Sequence, residues 1–450
     1  MAARKLSRRD FLKMSSAGAA MAFLAACQAK PTEAPATEEP APADEAPGAE
    51  SFTIIHWSEG YMQDDNPNAA DYADYKNKVH EIYEEKYPNV TVLCENHGWD
   101  EALRQNLVTA LLGGTAPDVI VGENFFQQYG DLGALMPVDD YIQDIEDNLI
   151  PGTYAASVTQ GQTFGINQFT GCFGFERKPN VIEAAGLDPS TPPETWDDLL
   201  EQAEIITEAG NDEFYGYTLQ GPVGFSVGGI FRVAVYLKQA GAAIQKDDGY
   251  PWFDNPATIQ VLDFLRKINA FTPPGLTFNP DEGQVYSQLF KGVSAYQICG
   301  SWHVNWAKDS GLDNAIYSGV PIPKDGKPAS VVVGNVINAV MTVSKHPEAA
   351  ADWIKTFTED DVQDKVNPIL GRMPSTRSSL ERLKPDATEA DQAFINELLT
   401  ADLGILPQWR KDPQKLWTTY NDLLTAVLST DDPIDQLIGA AQQEADDIMG

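Results

Sequence analysis

From residue 51 onward the hydrophobic positions switch between a period of two and a period near 3.6. Phe52-Thr53-Ile54-Ile55-His56-Trp57 is a β-rich run, and 72–87 sets Tyr75, Val79, Ile82 and Tyr83 at helical spacing. Asn89-Val90-Thr91-Val92-Leu93 predicts a second strand, and 99–112 a second helix stopped by Gly113-Gly114. Asp118-Val119-Ile120-Val121 predicts a third strand. The order β-α-β-α-β predicts a sheet with crossover helices on its faces. Farther along, strands are predicted within 164–175 and at 296–299, 330–333 and 339–343. Helices are predicted over 195–209, 230–240, 258–271, 348–358, 390–401, 414–428 and 433–448. No short-period repeat suggests a solenoid or a propeller.

The first fifty residues follow another logic. Ser7-Arg8-Arg9-Asp10-Phe11-Leu12-Lys13 precedes an apolar stretch over 14–26, the layout of a secretory signal with a short apolar region. A spanning helix needs about 20 apolar residues, more than this run provides. The arginine pair followed by Phe-Leu-Lys resembles a twin-arginine export signal. Leu24-Ala25-Ala26-Cys27 resembles a lipobox, which implies removal of 1–26 and lipidation of Cys27. At about 0.8 kcal/mol per buried methylene, several acyl chains would hold the protein on the outer face of the cytoplasmic membrane, anchored to it rather than spanning it. Residues 28–50 are Pro, Ala, Thr and acids with nothing apolar larger than Ala, so 27–50 is expected to be a disordered, lipid-anchored spacer.

The length of 450 residues suits two domains with sizeable cores. With 43% hydrophobic and 22% charged residues, most of the chain should fold. Lys+Arg number 31 against 66 Asp+Glu, a net −35 that becomes about −39 once the signal takes away five cations and one acid. Such a surface repels phosphate backbones and anionic headgroups, so nucleic acid is excluded as a partner. Cys94, Cys172 and Cys299 show no C-x-x-C, so neither a zinc site nor a disulfide framework follows. Buried free thiols are expected, with one disulfide as the alternative.

Several motifs in order carry a family resemblance. They are Gly113-Gly114-Thr115-Ala116-Pro117-Asp118-Val119, then Gly133-Ala134-Leu135-Met136-Pro137-Val138-Asp139, and Gly161-Gln162-Thr163-Phe164-Gly165-Ile166. Ala185-Gly186-Leu187-Asp188, Pro193-Glu194-Thr195-Trp196-Asp197-Asp198-Leu199, Gly300-Ser301-Trp302 and Ser344-Lys345-His346-Pro347-Glu348-Ala349-Ala350 follow. Together they resemble the extracellular solute-binding proteins of bacterial ABC importers, in the branch (family 1) that serves sugars. Phe175-Glu176-Arg177 departs from the pattern, which often has Tyr-Asn there. The resemblance implies an α/β, two-lobed periplasmic-binding-protein-like fold (type II), each lobe a sheet flanked by helices. Lobe one is drawn as 51–165 plus about 320–372, and lobe two as 166–319 plus about 373–450. Ligands of open α/β sheets bind beyond strand ends, so two facing sheets imply a cleft between lobes, closed by hinge motion.

A sugar offers C–H faces for aromatic rings and hydroxyl edges for hydrogen bonds. The expected ligand-binding residues are Trp57 and Glu59 after the first strand, Glu123 and Asn124 after the third, and Gln168 at the first crossing. Trp302, Asn335 and Trp409 complete the set. Trp196 and Trp417 are expected in the core, and Arg372 in the hinge. The implied function is non-catalytic: capture of a small neutral mono- or oligosaccharide and delivery to ABC permease subunits, by a monomer with no cofactor and no metal. A polyamine or other small polar solute is the alternative ligand. A secreted glycan-active hydrolase is the alternative class, disfavoured because no G-x-S-x-G, H-E-x-x-H or P-loop motif is present.

Overall fold

A computed structural model describes residues 51–450 apart from 124–125, 151, 223–226, 310, 312–313, 408 and 410. The export signal, Cys27, the spacer and Asn124 therefore lie outside the described residues. Among those described, no helix is long and apolar enough to cross a membrane.

The N-terminal βαβαβ pattern builds one lobe. Its five-stranded sheet runs in the order Val90–Glu95, Phe52–Trp57, Val119–Gly122, Val336–Val340, Ile166–Phe169. The first three strands are parallel, with Phe52 opposite Val90 and His56 opposite Val119. The last two are antiparallel to their neighbours, with Ala339 opposite Ile120 and Asn338 opposite Ile166. Val119–Gly122 is buried on both faces, as a central strand covered by helices must be, and this is why it reads as an unbroken apolar run. Helix Ala73–Lys86 turns Tyr75, Val79 and Tyr83 into the core. There Trp353 stands edge-on to Tyr83 at 5.1 Å and to Phe357 at 5.4 Å.

The second lobe has a four-stranded sheet in the order Ile316–Ser318, Phe173–Arg177, Ser294–Gly300, Tyr215–Tyr217. Helix Trp196–Gly210 starts at a capping box in which Thr195 and Asp198 satisfy each other's backbone N–H groups. Trp196 stacks on Phe264 at 4.4 Å and donates from Nε1 to the Pro321 carbonyl at 3.0 Å, so it is a core residue as expected. Helices Pro256–Asn269, Pro413–Ser429 and Ile434–Met449 close this core, which forms a cluster separate from that of the first lobe. Cys94, Cys172 and Cys299 are all free thiols, the last two buried.

The lobes are joined by three stretches that lie against one another. Thr170 and Met373 exchange backbone hydrogen bonds at 2.9 and 3.2 Å, and the Val333 N–H donates to the Gly171 carbonyl at 3.1 Å. Ile166–Phe169 belongs to the first sheet rather than to the second lobe, where 166 onward was drawn. The reason is its pairing with Val336–Val340, which also starts that strand ahead of the expected position 339. Two helices beside the lobe junction, Glu282–Phe290 and His303–Asp309, were not anticipated; both are short, and the second follows a glycine-ended strand without a periodic run.

Gly171 lets the crossings touch, because a Cβ there would lie 2.6 Å from the Val333 carbonyl oxygen. Gly171→Ala is expected to lower stability by about 1–3 kcal/mol, the usual result of overpacking against unyielding backbone, read as a lower melting temperature in scanning calorimetry. An unchanged melting temperature would show that the crossings can separate without cost.

Candidate ligand-binding cleft

At the junction lies a cleft of about 320 Å³ with walls from both lobes. Tyr61 and Tyr72 come from the turn-rich segment after the first strand; Trp302, Asn305 and Trp306 come from the end of strand Ser294–Gly300 and the helix after it. Gly371 and Arg372, from the third crossing, form the floor with their neighbours. The six-membered ring of the Trp302 indole abuts two glycines. A Cβ at Gly300 would lie 2.1 Å from the ring, and one at Gly334, whose φ is +64°, would lie 2.8 Å away. No other residue type fits either place without turning the ring. The Arg372 guanidinium stands 5.6 Å from the Trp302 ring and 5.8 Å from that of Phe169, and its Nε donates to the Tyr61 hydroxyl at 3.1 Å. Tyr61 meets Tyr72 edge-on at 4.7 Å.

Beneath this wall runs a line of buried polar groups. Trp353 Nε1 donates to His56 Nδ1 at 3.1 Å, and because an indole can only donate, that imidazole nitrogen is bare and Nε2 carries the proton. His56 Nε2 then donates to Asn338 Oδ1 at 2.9 Å, Asn338 Nδ2 to Gln168 Oε1 at 3.3 Å, and Gln168 Nε2 to Glu59 Oε1 at 3.1 Å. Every donor points toward Glu59, whose Oε2 also accepts from the Tyr61 N–H at 2.8 Å. Burial holds His56 down to about 3, hence neutral, with its hydrogen bond to Asn338 acting the other way. Burial pushes the Glu59 carboxyl up to about 7, against the hydrogen bonds from Tyr61 and Gln168 and the charge of Arg372. Glu59 also lines a neighbouring hollow of about 340 Å³ shared with Gln63, Asn96 and Trp99.

Of the residues expected to touch a ligand, Trp302 lines the cleft, and Glu59 and Gln168 lie behind its Tyr61 wall. Trp57 does not line it: the ring is 5% exposed and stacks on His97 at 3.8 Å within the first core. Glu123 is spent on the crossing, where its Oε1 accepts the Asn335 N–H at 3.1 Å. Asn335 is buried, and its Nδ2 donates to the Thr153 carbonyl at 2.6 Å, so it braces the junction instead of facing the cleft. Trp409 is 3% exposed in the second core, 4.4 Å from Trp417 and 5.7 Å from Phe253. Its surrounding Leu and Pro read as a surface loop, whereas helix Pro413–Ser429 draws the ring inward.

Tyr61 and Tyr72 were missed, since 58–72 carries no periodic pattern; the signal present was aromatic residues just beyond a strand end. Arg372 was assigned to the hinge and is both hinge and cleft wall. At the departure Phe175-Glu176-Arg177, Glu176 points into the second lobe. One of its carboxylate oxygens lies within 4.8 Å of the Cys299 Sγ and of a His303 ring nitrogen, all three residues being buried. Both carboxylate oxygens are already engaged, Oε1 by the Tyr317 hydroxyl at 2.8 Å and Oε2 by Gln297 Nε2 at 2.5 Å and His303 Nδ1 at 3.3 Å. The carboxylate is satisfied by this network, whereas Gln297 Oε1 and His303 Nε2 are buried without a hydrogen-bond partner among the described residues.

A family model described as bacterial extracellular solute-binding protein matches residues 66–364, and one for the twin-arginine translocation signal matches 5–25. A Brucella abortus (strain 2308) protein named as a binding protein is 25% identical, covering 83% of this chain and 90% of its own. The arabinooligosaccharide-binding protein of Halalkalibacterium halodurans is 22% identical over 65% of this chain and 66% of its own. Among solved structures, the cyclic α-maltosyl-1,6-maltose binding protein of Arthrobacter globiformis superposes with a TM-score of 0.75 at 20% identity, covering 89% of this chain and 99% of that one.

The raised Glu59 carboxyl makes the folded state bind more protons than the unfolded chain between about pH 4.5 and 7, so its contribution to stability is lost as pH rises through that window. His56 acts oppositely, its contribution being lost as pH falls from 6.5 toward 3. Glu59→Gln removes only the first. Its stability relative to the unsubstituted protein is expected to improve steadily from pH 4.5 to 7, by about 2–3 kcal/mol at most, in denaturant titrations at several pH values. A difference independent of pH would contradict the placement of Glu59.

Proposed function

The chain belongs to the bacterial extracellular solute-binding proteins, and we propose that it captures a carbohydrate between its lobes and hands it to the permease of an ABC importer. It is a binding protein, not an enzyme, and works outside the cytoplasm. The observation that carries the carbohydrate reading is the cleft itself, an indole held by glycines on one lobe facing Tyr61 and Tyr72 on the other, with amide groups between. Its volume sits at the low end of the roughly 300–1,000 Å³ typical of small-molecule sites, which suits a short saccharide. Similarity to binding proteins named for arabino-oligosaccharides and cyclic maltosyl-maltose supports the same class. Arg372 and Lys308 on the walls weigh against a polyamine, whose ammonium groups need carboxylates there.

Closure follows from where the contacts come from. A ligand seated on Trp302 alone gains only one lobe; contacts to Tyr61 and Tyr72 exist only when the lobes approach, so the guest's differential affinity drives the equilibrium toward the closed form. That closed form is what the permease would recognise. Acylation of Cys27 with the Pro/Ala/Glu spacer would tether the body to the outer face of the membrane, within reach of the permease.

Trp302→Ala is expected to weaken saccharide binding by about 2 kcal/mol, some thirtyfold, while the protein keeps its fold. Calorimetric titration with the best saccharide from a thermal-shift screen, compared with circular dichroism of the variant, measures both. Unchanged affinity would take Trp302 out of the site. Stabilisation by spermidine and by no saccharide would overturn the carbohydrate reading.

A further inference from the structure

We propose that the saccharide taken by this cleft is acidic, carrying a carboxylate of the uronic-acid kind or another oxyanion that Arg372 and Lys308 receive. The inference rests on the saccharide-binding reading above and adds the ligand's charge, replacing the neutral guest expected from the sequence.

The cleft departs from the rest of the molecule in sign. Acids outnumber bases 66 to 31, yet the residues lining this cleft include Arg372 and Lys308 and no Asp or Glu. Some cations elsewhere are answered by acids: Lys86 holds Asp352 at 2.7 Å, Lys238 holds Asp402 at 3.0 Å, Lys355 holds Asp144 at 2.6 Å, and Lys365 holds Asp74 at 2.7 Å. Arg372 and Lys308 have no such ion pair among the described residues. Glu59 feels the charge of Arg372, but its oxygens are taken up by the Tyr61 N–H and by Gln168.

Arg372 is also held ready. Rings of Phe169 and Trp302 flank the guanidinium and the Tyr61 hydroxyl takes its Nε–H, so the plane is fixed before any ligand arrives. Among the described residues its Nη groups meet no hydrogen-bond acceptor. A planar fork with free N–H groups matches a carboxylate two-for-two, and such charge-assisted bonds are about twice as strong as neutral ones. Lys308 sits exposed at the rim, where it adds an attractive charge without a fixed geometry. A neutral sugar would leave the Arg372 Nη groups without a charged acceptor on closing, a desolvation cost that an anionic sugar removes. On an otherwise repulsive surface, this local positive field also selects where an anionic saccharide can settle.

The test is calorimetric titration of the full mature chain with dimeric galacturonate, glucuronate and mannuronate. Each is paired with its methyl ester, which has nearly the same shape without the charge, and with sulfated and phosphorylated sugars as separate arms. At least one acid should bind about tenfold or more tighter than its ester, with the preference shrinking as salt rises. Arg372→Gln should bring acid and ester close together, Arg372→Lys should restore part of the gap, and Lys308→Gln, at an exposed position, should narrow it without affecting the fold. Best binding in the sulfate or phosphate arm keeps the proposal and identifies the oxyanion. Esters or neutral sugars binding as well as their acids would overturn it and leave saccharide capture standing. Heat from no sugar of either charge, with binding of a non-sugar dicarboxylate, would overturn both readings together.

Discussion

Two hydrophobic cores that share no central side chains are linked through three crossing segments, and the backbone of those segments must satisfy its own hydrogen bonds at the junction. Here Thr170, Gly171, Val333 and Met373 do so by pairing with one another across the three crossings. The consequence is mechanical. Each lobe is stiffened by its own packed interior, and a smaller apolar cluster that includes Cys172 and Met373 packs beside the crossings. A guest bound at the junction would touch both lobes and so bias the relation between them, which is why the cleft there is the candidate site.

The same constraint explains the buried polar line behind the cleft wall. Trp353, His56, Asn338 and Gln168 are each held by the next, with donors aligned in one direction and ending on Glu59. A fully satisfied line of this kind is rigid, because rotating any one member strands a buried donor. It fixes the backbone just before Tyr61 and so sets the ring that receives Arg372. Shape on one side of the cleft thus depends on a tryptophan packed among Tyr83 and Phe357, in the middle of the first core. On the other side, Gly300 and Gly334 leave the space that the Trp302 ring occupies.

Much of the fold was legible because local periodicity and tertiary demand agreed. Tyr75, Val79 and Tyr83 give a helix stripe that the first sheet buries, and Val119-Ile120-Val121 gives the central strand. Legibility failed where a residue's role was set from far away in sequence. Ile166–Phe169 reads as the start of the second lobe until its partner Val336–Val340 is known. The site divided in the same way. Trp302 announced itself through the glycine beside it, whereas Trp57, Asn335 and Trp409 are polar-tipped or aromatic residues at plausible loop positions whose burial is decided by helices and crossings remote in the chain. Tyr61 and Arg372, 311 residues apart and hydrogen-bonded, carry no mutual signal in either segment.

The central claim is that a guest bridging Trp302 and the Tyr61–Tyr72 wall shifts the protein from an open to a closed arrangement about the three crossings. Solution X-ray scattering of the mature chain, alone and with a saccharide at a concentration shown calorimetrically to saturate it, tests this most directly. The account predicts a smaller radius of gyration with ligand, and no such change when the Trp302→Ala protein is given the same concentration. An identical scattering curve for the free and saturated protein would contradict it.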